Sequence, residues 1–577
     1  MRFAWHLMIC LTCLVLASPS RAETPDPLQL IPDQADLLVK VEQPRAIIET
    51  VLHHPMVRDL YQIDAIRDLS TSTNVRRFNQ LIAYFEKQLG LGRFELLDRL
   101  AGGGAALAVK FQKEPPVLLV VQANDEQMLR RFFQLGLEVL EQELARQEAK
   151  DRPVKASYRS IDTVAIGKDF HAAVIGSALV ISNQANALYG AMDQHLAGRK
   201  KSLAHVASVA DARRLASPDP LLWMWLNMET VRKAPGAKEI FGANKAALTV
   251  VAGPILDIAK RSPFLCAGLY PRPRGFALSF RMPRGRDEMP PELSALLPPA
   301  GEPGSRSLLT PQGVLYSSSY FLDLRKLWEN RAKLLNGQQL QKLEEFDKNS
   351  GRFLAGTRMS QLLTTAGPYQ RVVVAHQAQS GYKTMPEQDI PAFALVLEMR
   401  EPGSFSKRAE TILRGAALLT TTQVPLQLVE EIHGGRRIIG YRFREDGKFK
   451  RDPNGIRFNF SPCFVAVGNQ FVICSTLELC HKLIDLLEKE AAGPQPAASP
   501  PVQTRIYASG AVALLNTFKD RLFTQTILEQ AIPPERAKEQ VQAFTDWVRR
   551  LGIFQERAVY GPQDFRYDFE LKLGDAR

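Results

Sequence analysis

The 577-residue chain is poor in the residues that carry recognisable chemistry, with 6 cysteines, 9 histidines and 8% aromatic residues. Two of the cysteines, Cys10 and Cys13, sit in an apolar run near the N-terminus. Beyond that run there is no His-Glu-x-x-His, no Cys-x-x-Cys and no Gly-x-Ser-x-Gly. The common signatures of zinc peptidases, thiol redox enzymes and serine hydrolases are therefore missing. Also missing is an apolar stretch of the ~20 residues that a membrane-spanning helix requires. The nearest approach, AALTVVAGPILDIA from Ala246, carries Pro254 and Asp257 and reads as a core-facing helix. What is present is the composition of a folded protein, 45% hydrophobic and 23% charged, with enough length for two or more cores.

The N-terminus, MRFAWHLMICLTCLVLASPSRAET, places Arg2 before an apolar run and ends it with small residues at Ser20 and Ala22. This is the pattern of a signal peptide over residues 1–22, cleaved after Ala22. Cys10 and Cys13 lie inside the run, away from the position a lipoprotein signal needs, and leave with the peptide. The mature chain is expected to be exported, periplasmic or extracellular, and at most peripheral to a membrane. Losing Arg2 and Arg21 lowers the formal charge of +12 by two. A moderate positive excess suits acidic partners, here an anionic envelope polymer or lipid headgroups, with another envelope protein as the alternative. No nucleic acid, cofactor or metal is expected.

One short pattern occurs twice. IGSALVISNQ begins at Ile175 and VGNQFVICST at Val467, each a hairpin followed by the start of a helix. Other features recur in the same order. A proline leads into a strand in LIPDQADLLVKVE and LLTPQGVLYSSSY, and glycines mark strand entry in LAGGGAALAVK and TTAGPYQRVVVA. PPVLLVVQA matches IPAFALVLEM, and an amphipathic helix follows, with Phe133, Leu137, Leu140 and Leu144 at helical spacing in the first copy. LLWMWLNMETV is matched with AVALLNTFKD, setting Leu226 and Asn227 against Leu515 and Asn516. Tyr270, Phe276 and Phe280 are matched with Tyr560, Phe565 and Phe569. These correspondences predict two tandem homologous modules, 29–290 and 307–577, joined by a Pro/Gly-rich linker at 291–306. Each reads β, helices, ββ, helix, βββ, helix, β, helices, ββ. Two-residue turns at Gly176-Ser177 and Gly468-Asn469 require antiparallel neighbours. The expected class is α+β, each module a mainly antiparallel twisted sheet with helices packed on a face.

The signal peptide, the PDQADLLVKV strand, GRFELLDRLAGGGAALAV and GSALVISNQANAL together resemble a family of exported bacterial proteins known as a domain of unknown function. The resemblance implies an envelope-associated protein with no established activity, and it transfers no catalytic residue.

Individual candidates each have an architectural reading. AGGGAAL, from Ala101, lacks a Gly-Lys-Ser/Thr ending and enters a strand, so it reads as a tight turn and not a phosphate loop. Ser404 and Lys407 have Ser-x-x-Lys spacing, but Ser404 follows EPG and reads as a helix N-cap. The adjacent His53 and His54 point about 100° apart on a helix and share no ligand-binding face. With the turn at Gly468-Asn469, Cys463 and Cys474 stand directly opposite on one sheet face, at a spacing that a disulfide accepts. Two buried thiols, or a zinc site adding Cys480 and His481, are the alternatives.

The largest asymmetry between the copies is charge. Arg436 to Phe458 holds eight basic residues against three acidic ones, whereas the first copy balances Arg159 and Lys168 with Asp162 and Asp169. Arg436, Arg437, Arg442, Arg444, Lys448, Lys450, Arg451 and Arg457, interleaved with Tyr441, Phe443 and Phe449, are candidates for an anionic-ligand surface. A charged strand edge is the alternative reading. The expected function is a non-enzymatic binding or structural protein of the bacterial cell envelope. A hydrolase or transferase with its site in one module, and a carrier of apolar ligands between sheet and helices, are the other two readings.

Overall fold

The structure, a computed structural model, describes residues 25–54, 57–58, 66–67, 72–241, 246–377, 381–421, 424, 426–446, 452, 454–493 and 499–574. The expected signal peptide lies outside the described residues. The chain divides into two compact units, Met1–Pro235 with Ser262–Pro283, and Gly236–Arg261 with Arg284–Arg577. The helix Ala246–Arg261, which the sequence pattern assigns to the first module, thus groups with the second unit. Its last residue explains part of this: Arg261 pairs with Asp257 and Glu288 and donates to the Gly285 carbonyl.

The first unit contains β1 (Leu37–Val41), β2 (Ala105–Val109), β3 (Val117–Gln122), β4 (Pro153–Tyr158), β5 (Ile161–Ile166), β6 (Phe170–Ile175), β7 (Ala178–Ser182), β8 (Leu222–Asn227), β9 (Phe264–Arg272) and β10 (Gly275–Met282). All pair antiparallel, in the order β4-β5-β6-β7-β3-β2-β1-β8-β9-β10. The second unit contains β11 (Val314–Phe321), β12 (Ala366–Ala375), β13 (Ala392–Met399), β14 (Leu426–His433), β15 (Arg436–Phe443), β16 (Cys463–Val467), β17 (Gln470–Cys474), β18 (Val502–Tyr507), β19 (Ile553–Tyr560) and β20 (Phe565–Lys572). Its order is β14-β15-β16-β17-β13-β12-β11-β18-β19-β20, again antiparallel throughout. Subtracting ten from each label reproduces the first order. The class is α+β.

Helices cover both faces of the central strands, not one as the sequence pattern predicts. β3 reads VLLVVQ and is buried along almost its whole length. Leu118 and Val120 join a core with Leu188, Ala191 and Met192 of the helix Ala185–Leu196. Leu119 and Val121 point the other way, into a core with Phe85, Leu96, Leu129 and Phe132 from three further helices. A strand with apolar side chains on both faces has to be covered on both. In the second unit Val396 of β13 meets Leu483 and Leu487 of the helix Leu477–Ala492 on one face. On the other face Phe464 and Phe471 meet Phe405 and Ala409 of the helix Pro402–Thr421.

Three sequence expectations are corrected here. The third strand group has four strands, not three, because β4 is exposed along its middle and shows no apolar alternation. Leu226 and Asn227 end strand β8, whereas Leu515 and Asn516 lie in the helix Ala508–Thr517. The alanine-rich run there favours helix, and the strand in the β8 position is β18. Ser404 is not an N-cap: the helix begins at Pro402, whose fixed φ and missing N–H suit the first turn. The AGGGAAL segment does form a tight turn between the helix Arg93–Ala101 and β2, with Gly104 at φ +92° and its position for a Cβ closed off by the Val41 carbonyl. No described helix is long and apolar enough to cross a membrane.

One helix contact in the first unit makes stability depend on pH. Burial pushes the Asp98 carboxyl up from 3.8 to about 6, outweighing the opposing Arg45 guanidinium 3.1 Å away. A carboxyl that holds its proton more tightly folded than unfolded adds stability below pH 3.8, and that stability is lost as pH rises through about 6. Asp98→Asn removes this dependence. We expect the parent to lose roughly 1–3 kcal/mol relative to the variant between pH 4 and pH 7 in urea denaturation. Parallel pH profiles would show that Asp98 ionises normally.

Candidate functional site

The densest chemistry lies where the hairpin β16–β17 meets the helix Leu477–Ala492. The turn at Gly468-Asn469 pairs Val467 with Gln470, and the register carries back to set Cys463 opposite Cys474. The chain then turns into the helix, which is fixed at both ends. At its start Thr476 accepts from the Leu479 N–H, and Ser461 accepts from the Leu477 N–H. Near its end Glu490 takes the buried guanidinium of Arg371, 2.7 Å away, which also donates to Gln470 on β17. Helical period then points Cys480, Ile484 and Leu487 at the sheet, all within 3% of full burial.

The sulfurs of Cys463, Cys474 and Cys480 lie within 4.8 Å of one another. All three residues are free thiols and at most 2% exposed. The Cys463 thiol donates to the Thr476 carbonyl at 3.4 Å. Burial pushes the Cys463 and Cys474 thiols well above the usual range. Hydrogen bonds from those two, with a smaller contribution from His481, pull Cys480 down to about 5. In the first unit the same places in the β6–β7 hairpin and its helix hold His171, Ser182 and Leu188, with His171 opposite Ser182.

His481 is not drawn into the cluster. Its Nε2 lies 2.6 Å from Glu431, and its ring stacks at 4.5 Å on His433, whose Nε2 lies 2.8 Å from Asp485. The four-ligand set of three cysteines and His481 is thus not assembled, and the sulfurs are grouped without a fourth ligand among the described residues. Glu431, His433 and Asp485 escaped the sequence reading, though a signal existed. His481, Asp485 and Glu488 are spaced i, i+4, i+7 on one helix stripe, and Glu431 and His433 alternate on a strand.

The basic segment is divided rather than gathered. Lys448, Lys450 and Arg451, with Phe449, lie outside the described residues. Arg436 and Arg437 are neighbours on β15 and so point to opposite sheet faces. Arg436 pairs with Glu488 of the helix Leu477–Ala492, and Arg437 pairs with Glu430, which Arg414 of the helix Pro402–Thr421 also contacts. Arg442 donates to the Gly381 carbonyl at 3.4 Å, and Arg444 pairs with Asp446. Arg457 is largely buried against Asp452, with its guanidinium over Phe458. Charge that is consecutive in sequence is in space split between two faces and met by carboxylates, two of them from outside the segment.

The burial of the thiols has a direct consequence. In a chain with Cys10 and Cys13 changed to alanine, Cys266, Cys463, Cys474 and Cys480 should give no fast-reacting equivalent with an aromatic disulfide reagent, and all four should react in denaturant. A rapid burst from the native protein would contradict the packing described.

No protein-family model matches the chain, and no curated protein matches it. Among solved structures, crystal form I of TP0453 aligns with 47% of this chain and 83% of its own, at 6% identity and a TM-score of 0.24. Crystal form III of TP0453 aligns with 47% and 84%, at 8% identity and a TM-score of 0.23. Likeness at this level carries no argument about fold or function.

Proposed function

We infer that the chain is one α+β module written twice, exported, and acting as a non-enzymatic binding component of the cell envelope whose partner is an anionic surface. The observation that supports the doubling is the shared strand order of the two units. What recurs is architecture: the turns at Gly176 and Gly468, each with φ +57°, and the largely buried hairpins β6–β7 and β16–β17 that they close. The polar and nucleophilic groups do not recur, since His171, Ser182 and Leu188 stand where the second unit has its cysteines. A repeated scaffold with unrepeated side chains fits binding better than an inherited reaction.

The surface for that binding is the β14–β15 hairpin. Arg437 is 57% exposed on the same face as Ile432, which stands opposite it on β14, and Leu428, both exposed apolar residues, while Arg436, 43% exposed, lies on the other face. Their carboxylate partners are surface pairs worth ~0–1 kcal/mol each, so a dense anionic array can displace them. The expected result is salt-sensitive association with phosphatidylglycerol vesicles, several-fold stronger in Glu430→Gln, because the exchange frees the Arg437 guanidinium on the face that carries Leu428 and Ile432. The mature N-terminus should be Glu23. Absence of vesicle binding at low salt in both proteins would overturn the membrane reading, and binding to acidic polysaccharide alone would move the partner to that class.

A further inference from the structure

We propose that Cys463, Cys474 and Cys480 form a three-sulfur site for a monovalent thiophilic metal ion, copper(I). Three separate pieces of chain, β16, β17 and the helix Leu477–Ala492, each deliver one sulfur to the same point. An ion about 2.3 Å from each sulfur holds them roughly 3.8–4.0 Å apart, inside the 4.8 Å limit that the three already satisfy.

The ligand set selects the ion. Three thiols with no oxygen or nitrogen donor exclude magnesium and calcium, which take oxygen ligands. Soft sulfur ligands favour copper(I), zinc and iron–sulfur clusters. Iron–sulfur clusters are held by four cysteines, and structural zinc is tetrahedral. Here no fourth Cys, His, Asp or Glu ligand atom joins the group among the described residues, and His481 is engaged by Glu431 and His433. The cysteines share their core with Val465, Val472, Leu477 and Leu483, whose side chains carry no donor, and the Thr476 carbonyl lies 3.4 Å from the Cys463 sulfur. Copper(I), a closed-shell ion, is content with three sulfurs. Binding displaces thiol protons to solvent and leaves copper at +1, so no electron is transferred. A Cys463–Cys474 disulfide removes two of the three ligands, so the site exists only in the reduced protein.

Because the sulfurs are at most 2% exposed, the ion enters during folding or a local opening. The test therefore refolds the full chain, with Cys10 and Cys13 changed to alanine, anaerobically with copper(I) and ascorbate. The product is then challenged with excess bathocuproine disulfonate and desalted. About one copper per chain should remain in this protein and in Cys266→Ala, and about ten-fold less in Cys463→Ala, Cys474→Ala and Cys480→Ala. X-ray absorption at the copper edge gives a readout independent of whether the variants fold, and it should show three sulfur neighbours at about 2.3 Å. Loss of copper from the parent, equal retention by the three alanine variants, or nitrogen and oxygen neighbours would overturn the site. Retention of zinc in place of copper under the same challenge would overturn the choice of ion, and a Cys463–Cys474 disulfide that survives reductant would remove the site.

Discussion

The rest of each unit depends on strands whose side chains are apolar on both faces. β3 lies between β2 and β7, and β13 between β12 and β17, with their backbone groups paired on both sides. Each fully buried Val or Leu removed from water contributes on the order of 1.5–3 kcal/mol; β3 carries such residues alternately up and down, and β13 buries Ala394 and Val396 on one face and half-buries Leu395 and Leu397 on the other. One layer of helices would leave half of them wet. The two helix layers in each unit follow from that requirement.

The same frame explains why chemistry can differ between units while architecture does not. The hairpin preceding each long helix fixes which residues stand opposite and which helix position lies over them. Filling those places with His171, Ser182 and Leu188 gives one polar rim and an apolar cap. Filling them with Cys463, Cys474 and Cys480 gives three converging sulfurs. Backbone register sets the geometry, and side-chain identity alone decides what it can bind. Charge follows the same rule: Arg436 and Arg437 are adjacent in sequence, yet the pleat sends Arg436 to Glu488 of the helix Leu477–Ala492 and Arg437 to Glu430 of β14.

Much of this was legible in the sequence because it rests on local signals. Two-residue turns at Gly468-Asn469 and Gly176-Ser177 determine register, so the opposition of Cys463 and Cys474 could be read by counting. Coverage on both faces was not read, although the unbroken apolar run in β3 carries that signal. β4 was illegible because an exposed strand has no periodic signal. The Leu-Asn pair at Leu515 misled because a shared dipeptide does not fix secondary structure when its neighbours are alanine-rich. The third sulfur required tertiary knowledge: the spacing from Cys474 to Cys480 says nothing about the angle at which a helix returns over its own hairpin. Ion pairing of the basic segment depends on Glu430 and Glu488, which counting charge between Arg436 and Phe458 cannot include.

Amide hydrogen exchange resolved by residue tests the central constraint most directly. If the doubly covered strands organise each unit, the amides of β3 and β7, and of β13 and β17, exchange slowest in their own units, while β4 and β14, each paired on one side among the described strands, exchange orders of magnitude faster. Uniform protection across the sheet, or slowest exchange in β4 and β14, would contradict the account.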